Sequence, residues 1–492
     1  MYIALLILVP IAAGGLSLAV GRMRFALAAL VATAALHLAV TAAIVATAPL
    51  TEPNGVWALD SPGRFFLSIL SILFALVTLY TVSFLVSATR DGTPVPRHFV
   101  PCLLWFLASM TVVACTQHLA VLWAAIEATT LASAPLVYFH KRRGALEATW
   151  KYLLLCSVGI ALALLGTFLL GVAASASPSG GSSLLLSTLR EAAPGMARPW
   201  LEAAFVFVLV GYGTKMGLVP MHTWLPDTHS QAPSPVSALL SGAVLNCALL
   251  GILRVYQVCL AAGDAAFARR LLLVLGLVSV AVACAFMVRQ RDYKRLFAYS
   301  SIENMGIVAV GVGLGGVATY GALLHALNHS LCKAGLFFVA GNVLRTFKTT
   351  EVHEVRGAYG RIPVSAGLLV ALCLAIGGTP PFGPFMSEFM IFKSAIHISG
   401  APFALLFLCC LAIGFLGMSA SAFSMVHGEQ SRDSSPTREP WPLLAAPSIA
   451  LACVLVLGVC VPRFIGHAIE QTSRLLIDEG DASRPPSSFP GD

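Results

Sequence analysis

Apolar residues in this chain occur in runs of roughly 18 to 25 positions, and that length governs what the chain can fold into. A helix needs about 20 such residues to cross a hydrocarbon core of roughly 30 Å. Backbone placed in lipid must satisfy its own hydrogen bonds, so runs of this length read as helices. The alternating pattern of an outer-membrane barrel is absent. Only 11% of the residues are charged, against roughly 25% in soluble chains. The expected fold class is an all-α polytopic membrane protein.

Run length and loop punctuation predict about 14 spans, at approximately 2–20, 26–49, 65–88, 99–116, 118–139, 151–174, 201–220, 234–260, 271–288, 296–314, 318–341, 363–395, 402–426 and 442–463. The first run has no basic segment before it, which predicts a retained helix. The longest polar connection lies between Ser175 and Trp200, and the Ser/Pro/Asp-rich tail 478–492 reads as disordered.

A net charge of +8 could suggest a nucleic-acid partner, but the basic residues sit in short loops, where they report topology. One alternate set of loops carries about 17 basic residues and the other about 8. Positive loops stay cytoplasmic, so both termini are expected on the periplasmic side of a bacterial inner membrane. The 12 cysteines form no C-x-x-C pair and mostly lie inside apolar runs, as packing residues do. No metal site and no cofactor of the chain's own is predicted.

Two spans are interrupted by proline. One runs into Leu218-Val-Pro220-Met-His222-Thr-Trp-Leu-Pro226, and the other contains Gly377-Gly-Thr-Pro-Pro-Phe-Gly-Pro384. Unwound backbone is tolerated at membrane depth only inside protein or beside a water-filled cavity. The breaks fall five spans apart, so their segments run in opposite directions. This predicts inverted repeats over 99–260 and 271–426, preceded by helices in 1–98 and followed by one at 442–463, and it points to an ion pathway.

Charges inside the spans carry the most information, since each costs roughly 2.5 to 3.5 kcal/mol at a helix centre. Glu127 sits in the fifth span, Lys215 near the first break, and Glu303 in the tenth span. His325, His329 and Lys333 lie four apart in the eleventh, on one helix face rising roughly 12 Å. Such a row suits proton hopping, because imidazole can accept on one nitrogen and donate from the other. Burial disfavours the charged forms of Glu127 and Lys215, whereas mutual pairing favours them. The two would therefore make either a switchable pair or a static one. Glu388 flanks the second break as a terminal donor or acceptor. Glu303 reads equally as a relay member or as a cap on polar backbone, and Lys393 as a snorkelling helix-end residue.

At these residues the sequence resembles the antiporter-like membrane subunits of respiratory complex I and group 4 hydrogenases, those of the hydrogenase-4 and formate hydrogenlyase type above all. The motifs are Ile126-Glu127-Ala-Thr-Thr-Leu-Ala-Ser, Lys151-Tyr152, Gly211-Tyr-Gly-Thr-Lys215, His222-Thr-Trp-Leu-Pro-Asp-Thr-His229, Lys294-Arg-Leu-Phe-Ala-Tyr-Ser-Ser-Ile-Glu-Asn-Met-Gly306 and Ser387-Glu388-Phe389. The resemblance implies a 14-helix core and a proton (or sodium) path through Glu127, Lys215, His325, His329, Lys333 and Glu388. Glu303, His222, His229 and Asn246 complete the candidate set. Asn246 stands where complex I subunits usually carry a lysine, and Asn304 where they usually carry a histidine. The implied partners are other membrane subunits and a peripheral arm holding a nickel–iron centre and iron–sulfur clusters. An exchanger or bicarbonate-uptake module, or a structural anchor that pumps nothing, is the alternative.

Overall fold

The computed structural model describes residues 2–47, 55–178, 183–427 and 437–477. Helices α1 (Tyr2–Val20), α2 (Met23–Ala46), α3 (Ser61–Arg90), α4 (Phe99–Cys115), α5 (Leu119–Val137) and α6 (Arg143–Ser175) open the chain. Then follow α7 (Leu186–Ala192), α8 (Arg198–Met216), α9 (Trp224–Gln231), α10 (Ser234–Leu239), α11 (Leu245–Ala261), α12 (Ala265–Met287), α13 (Tyr293–Leu314) and α14 (Val317–Phe347). Last come α15 (Ala358–Arg361), α16 (Pro363–Ile376), α17 (Gly383–Ser399), α18 (Ala401–His427), α19 (Trp441–Val459) and α20 (Arg463–Arg474). Among the described residues 11 helices are long and apolar enough to cross a membrane, counting α10 and α11 as one, and α4 and α16 are shorter apolar helices.

Burial ranks these helices. The apolar windows of 234–261, 293–314 and 317–347 are buried along their whole length, whereas only 22% of the α1 window is. The charged residues singled out above ride mainly on the central helices or face them. Both proline-rich stretches break a helix as expected. α8 stops at Gly217, whose φ of +88° an L side chain rarely adopts, and the chain resumes at α9. α16 gives way at Gly378, φ +72°, and resumes at α17. Each break contains a cis X–Pro bond, Val219–Pro220 and Pro380–Pro381. Pro226 does not prolong the first break. It sits in the first turn of α9, where a missing N–H is harmless.

Contacts sort the loops into two ends of the bundle. At one end Asp91 pairs with Arg345 at 3.6 Å, and Asp292 accepts from Ser230 Oγ and Thr350 Oγ1 at 2.9 and 2.7 Å. There too, the Lys294 ammonium donates to the carbonyls of Ser230 and Ala232, at the C-terminal end of α9 where a cation is favoured. At the other end Trp57 bridges to Thr116 and His118 to Leu185.

Asp60 also lies at that second end, capping α3 through Gly63 N and pairing in a fork with Arg254. The Arg254 side chain is 1% exposed and that of Asp60 27%. Asp60→Asn leaves a buried guanidinium without its counter-charge, and a loss of about 2 kcal/mol is expected. A lower unfolding temperature of the detergent-solubilised protein would register it.

Three details depart from the sequence reading. α6 starts at 143, not 151, because the ion pair of Glu147 and Lys151 (2.7 Å) extends the helix past its apolar run. The polar connection after Ser175 contains α7, held by buried Leu186 and Leu189. α20 follows the last apolar helix as an amphipathic helix too polar to register as a span. The tail 478–492 lies outside the described residues.

Candidate functional site

Glu127 of α5 holds two hydroxyls. Ser157 Oγ of α6 donates to its Oε1 at 2.8 Å, and Thr130 Oγ1, one turn along α5, donates to its Oε2 at 3.3 Å. Lys215, one residue short of the end of α8, is fully buried. Its ammonium donates to Thr130 Oγ1 at 2.6 Å and to Tyr152 Oη of α6 at 3.1 Å, with the Tyr152 ring beneath it at 4.9 Å. The expected pairing of Glu127 with Lys215 therefore runs through Thr130 and not as a direct ion pair.

The row on α14 is buried throughout, but its members turn to different neighbours. His325 bridges two helices, with Nε2 on Asn304 Oδ1 of α13 and Nδ1 on Ser387 Oγ of α17, both at 2.9 Å. Asn304 uses its amide nitrogen on Ser300 O, which leaves its oxygen to accept from Nε2. His329 Nε2 reaches Ser241 O at 3.4 Å, and Lys333 donates to Phe297 O at 3.0 Å. Ser241 belongs to a π-helical turn, Leu240–Val244, that joins α10 to α11. Such turns misalign backbone carbonyls and free them for other donors. Gly242 O accordingly accepts from both Asn246 Nδ2 (3.0 Å) and Ser330 Oγ (2.8 Å). Asn246 also donates to Ser330 Oγ at 2.8 Å, so it ties α11 to α14 where a lysine would carry charge.

The remaining candidates fall around this line. Glu388 seats its carboxylate against Gly378 at the second break. Asn328, between the two histidines, packs its amide onto Gly383 at the start of α17. Glu303 faces the other way. It accepts from Cys284 Sγ of α12 at 3.3 Å and lies against Gly414 of α18. His229 stacks on Phe337 with centroids 4.8 Å apart, and His222 packs beside Tyr299. Lys393 is exposed but lies inside α17, which runs on to Ser399, and not at a helix end as expected.

A set of buried polar atoms lacks any protein hydrogen-bond partner: His222 Nδ1, both ring nitrogens of His229, Asn246 Oδ1, both amide atoms of Asn328, and His329 Nδ1. Sequence reasoning missed Thr130, Ser157, Tyr152, Asn328 and Ser387 as members of the site. Their signal was present but faint: a hydroxyl one helical turn from Glu127, and an amide in register between two intramembrane histidines. Among the described residues no group of three or more His, Cys, Asp or Glu side chains is placed to hold a metal ion.

Comparison with known proteins gives the family and the fold. The model of the NADH:quinone oxidoreductase/Mrp antiporter transmembrane family matches residues 116–414. The hydrogenase-4 component F homolog of Methylacidiphilum infernorum (isolate V4) is 37% identical over 439 residues, covering 85% of this chain and 90% of that protein. Among solved structures, a chain of the Mrp complex from Dietzia sp. DQ12-45-1b superposes with a TM-score of 0.85 at 18% identity, covering 98% of each chain. A chain of respiratory complex I from Thermus thermophilus superposes with a TM-score of 0.75 at 25% identity, covering 93% of this chain and 97% of that one.

Proposed function

This chain belongs to the NADH:quinone oxidoreductase/Mrp antiporter transmembrane family, and from that premise we propose that it conducts protons through the membrane arm of a redox-driven complex. The buried polar atoms without protein partners carry the reading. An unmade hydrogen bond costs about 1–3 kcal/mol per group in an apolar interior, so such a series is sustainable only where water enters. Water between Lys215, Asn246, His329, Asn328 and Glu388 links two titratable groups near opposite breaks. A proton then moves from the Glu127–Lys215 site along the row of α14 to Glu388, with Asn246 orienting water and holding no proton itself.

The architecture we assign is 14 spans. α8 and α9 together form the seventh, α16 and α17 the twelfth, and α4 to α11 and α12 to α18 are inverted repeats. The bias of the basic loops supports a cytoplasmic position for the end that carries Lys294 and Arg345, with both termini in the periplasm of a bacterial inner membrane. The partners are further membrane subunits and a peripheral arm of the group 4 [NiFe]-hydrogenase or formate hydrogenlyase type, which holds the nickel–iron and iron–sulfur centres. The match to a hydrogenase-4 component F homolog over most of both chains supports this assignment.

The test uses the intact complex reconstituted in liposomes and driven by its own redox reaction. Proton uptake is expected in sodium-free medium and should be abolished by an uncoupler. Uptake that requires sodium on the opposite side would favour cation exchange instead. His329→Ala is expected to lower the uptake rate about tenfold, corresponding to a barrier raised by roughly 1.4 kcal/mol, while the complex still assembles. Undiminished uptake would remove His329 from the path.

A further inference from the structure

We propose that Thr130 is the residue through which a proton passes between Lys215 and Glu127, so that these two exchange a proton instead of holding an ion pair. The inference rests on the transport reading above and names a step within it. In an ion pair the ammonium donates to the carboxylate itself. Here both bonds given by Lys215 end on hydroxyl oxygens, Thr130 Oγ1 at 2.6 Å and Tyr152 Oη at 3.1 Å.

The two branches differ in where they lead. Tyr152 Oη pairs with Ser133 Oγ at 2.7 Å, and the single Ser133 proton is used on the backbone carbonyl of Thr129 at 2.7 Å. That branch ends on a peptide oxygen, which takes up no proton near neutral pH. Thr130 Oγ1 accepts from Lys215, so its own proton must point elsewhere. The acceptor within reach among the described residues is Glu127 Oε2 at 3.3 Å. Ser157 fixes the other carboxylate oxygen at 2.8 Å, which keeps Oε2 turned toward Thr130. The threonine branch is the one that ends on a titratable group.

The step balances without any further reactant. A Lys215 N–H bond breaks as an O–H bond forms at Thr130, while the original Thr130 O–H bond breaks and its proton joins Glu127 Oε2. The ammonium and carboxylate become an amine and a carboxylic acid, and Thr130 is regenerated. A hydroxyl bond of 3.3 Å is long against the usual 2.7–2.8 Å, so the carboxylate must approach by about 0.5 Å before transfer. That small displacement is where a neighbouring subunit could control the step.

Thr130→Val and Thr130→Ser, made in the intact complex and assayed for proton uptake in liposomes, decide the matter. Valine keeps the shape and removes the hydroxyl, and serine keeps the hydroxyl. The expected result is a tenfold or greater loss of uptake per turnover in Thr130→Val, near-native uptake in Thr130→Ser, and a solvent isotope effect in the serine variant matching that of the parent. Three outcomes overturn the proposal. If Thr130→Val pumps normally while Lys215→Ala does not, the proton bypasses Thr130 and the transport reading stands. If both pump normally, that reading falls too. If serine and valine lose uptake equally, the residue only packs. Should Thr130→Val fail to assemble, infrared difference spectra of the parent complex replace it. A carboxylic-acid band that appears on turnover and vanishes in Glu127→Gln supports the exchange, and its absence contradicts it.

Discussion

Lys215→Ala is expected to abolish measurable proton uptake while leaving the complex assembled. Lys215 is fully buried beside the first break, and its ammonium donates to both Thr130 and Tyr152. Without the amine, a charge crossing this point has no side chain to hold it. The barrier then rises by something like the 2.5–3.5 kcal/mol of placing a charge at a helix centre, which is about two orders of magnitude in rate. Assembly should survive because the lost partners are hydroxyls that retain other bonds: Tyr152 keeps Ser133, and Thr130 keeps Glu127. Proton uptake in liposomes, normalised to the redox turnover of the same sample, checks the expectation. Glu127→Gln should fall less far, since a glutamine can still accept from Ser157 and Thr130 although it cannot take up a proton.

The second large effect is expected at Gly378. Its positive φ alone makes alanine unfavourable by roughly 1–2 kcal/mol, and a methyl group there would occupy the place of the Glu388 carboxylate. The carboxylate is the far end of a flexible side chain, so it is expected to move while the helix stays. Gly378→Ala should therefore cost about 1–2 kcal/mol of stability without preventing assembly, and cut uptake about tenfold or more, because the carboxylate proposed as terminal acceptor is displaced from the break. The double variant Gly378→Ala/Glu388→Asp withdraws the carboxylate by one methylene and should recover part of that loss. Recovery is a result that a purely structural role for Gly378 would not give.

Much of this was legible in the chain. Membrane helices are set by apolar run length, and clustered proline and glycine mark both breaks, because a missing N–H and a ring clash act locally. Single prolines do not, since Pro10, Pro135 and Pro447 lie inside continuous helices. Ionisable residues within the spans are legible too: Glu127, Lys215, His325 and Lys333 are too costly in lipid to be incidental. What escaped was everything set by packing between helices. Periodicity puts His325, His329 and Lys333 on one face, yet their partners lie on α13, α17 and the π-helical turn, and a single sequence does not state which helices adjoin α14. Thr130 escaped because a threonine among apolar residues usually bonds its own helix, as Thr129 does to Ile126 O. The direction of Glu303 escaped too, since it depends on where Cys284 and Gly414 come to lie.

A cryo-EM map of the intact complex, resolved well enough to place individual waters, is the most direct examination of a wet path through the bilayer. Density for ordered water is expected against His229, Asn246 Oδ1, Asn328 and His329 Nδ1, continuous from the Lys215 side to Glu388. A map in which those atoms meet only apolar side chains, with no solvent anywhere between the two breaks, would contradict proton conduction by this chain.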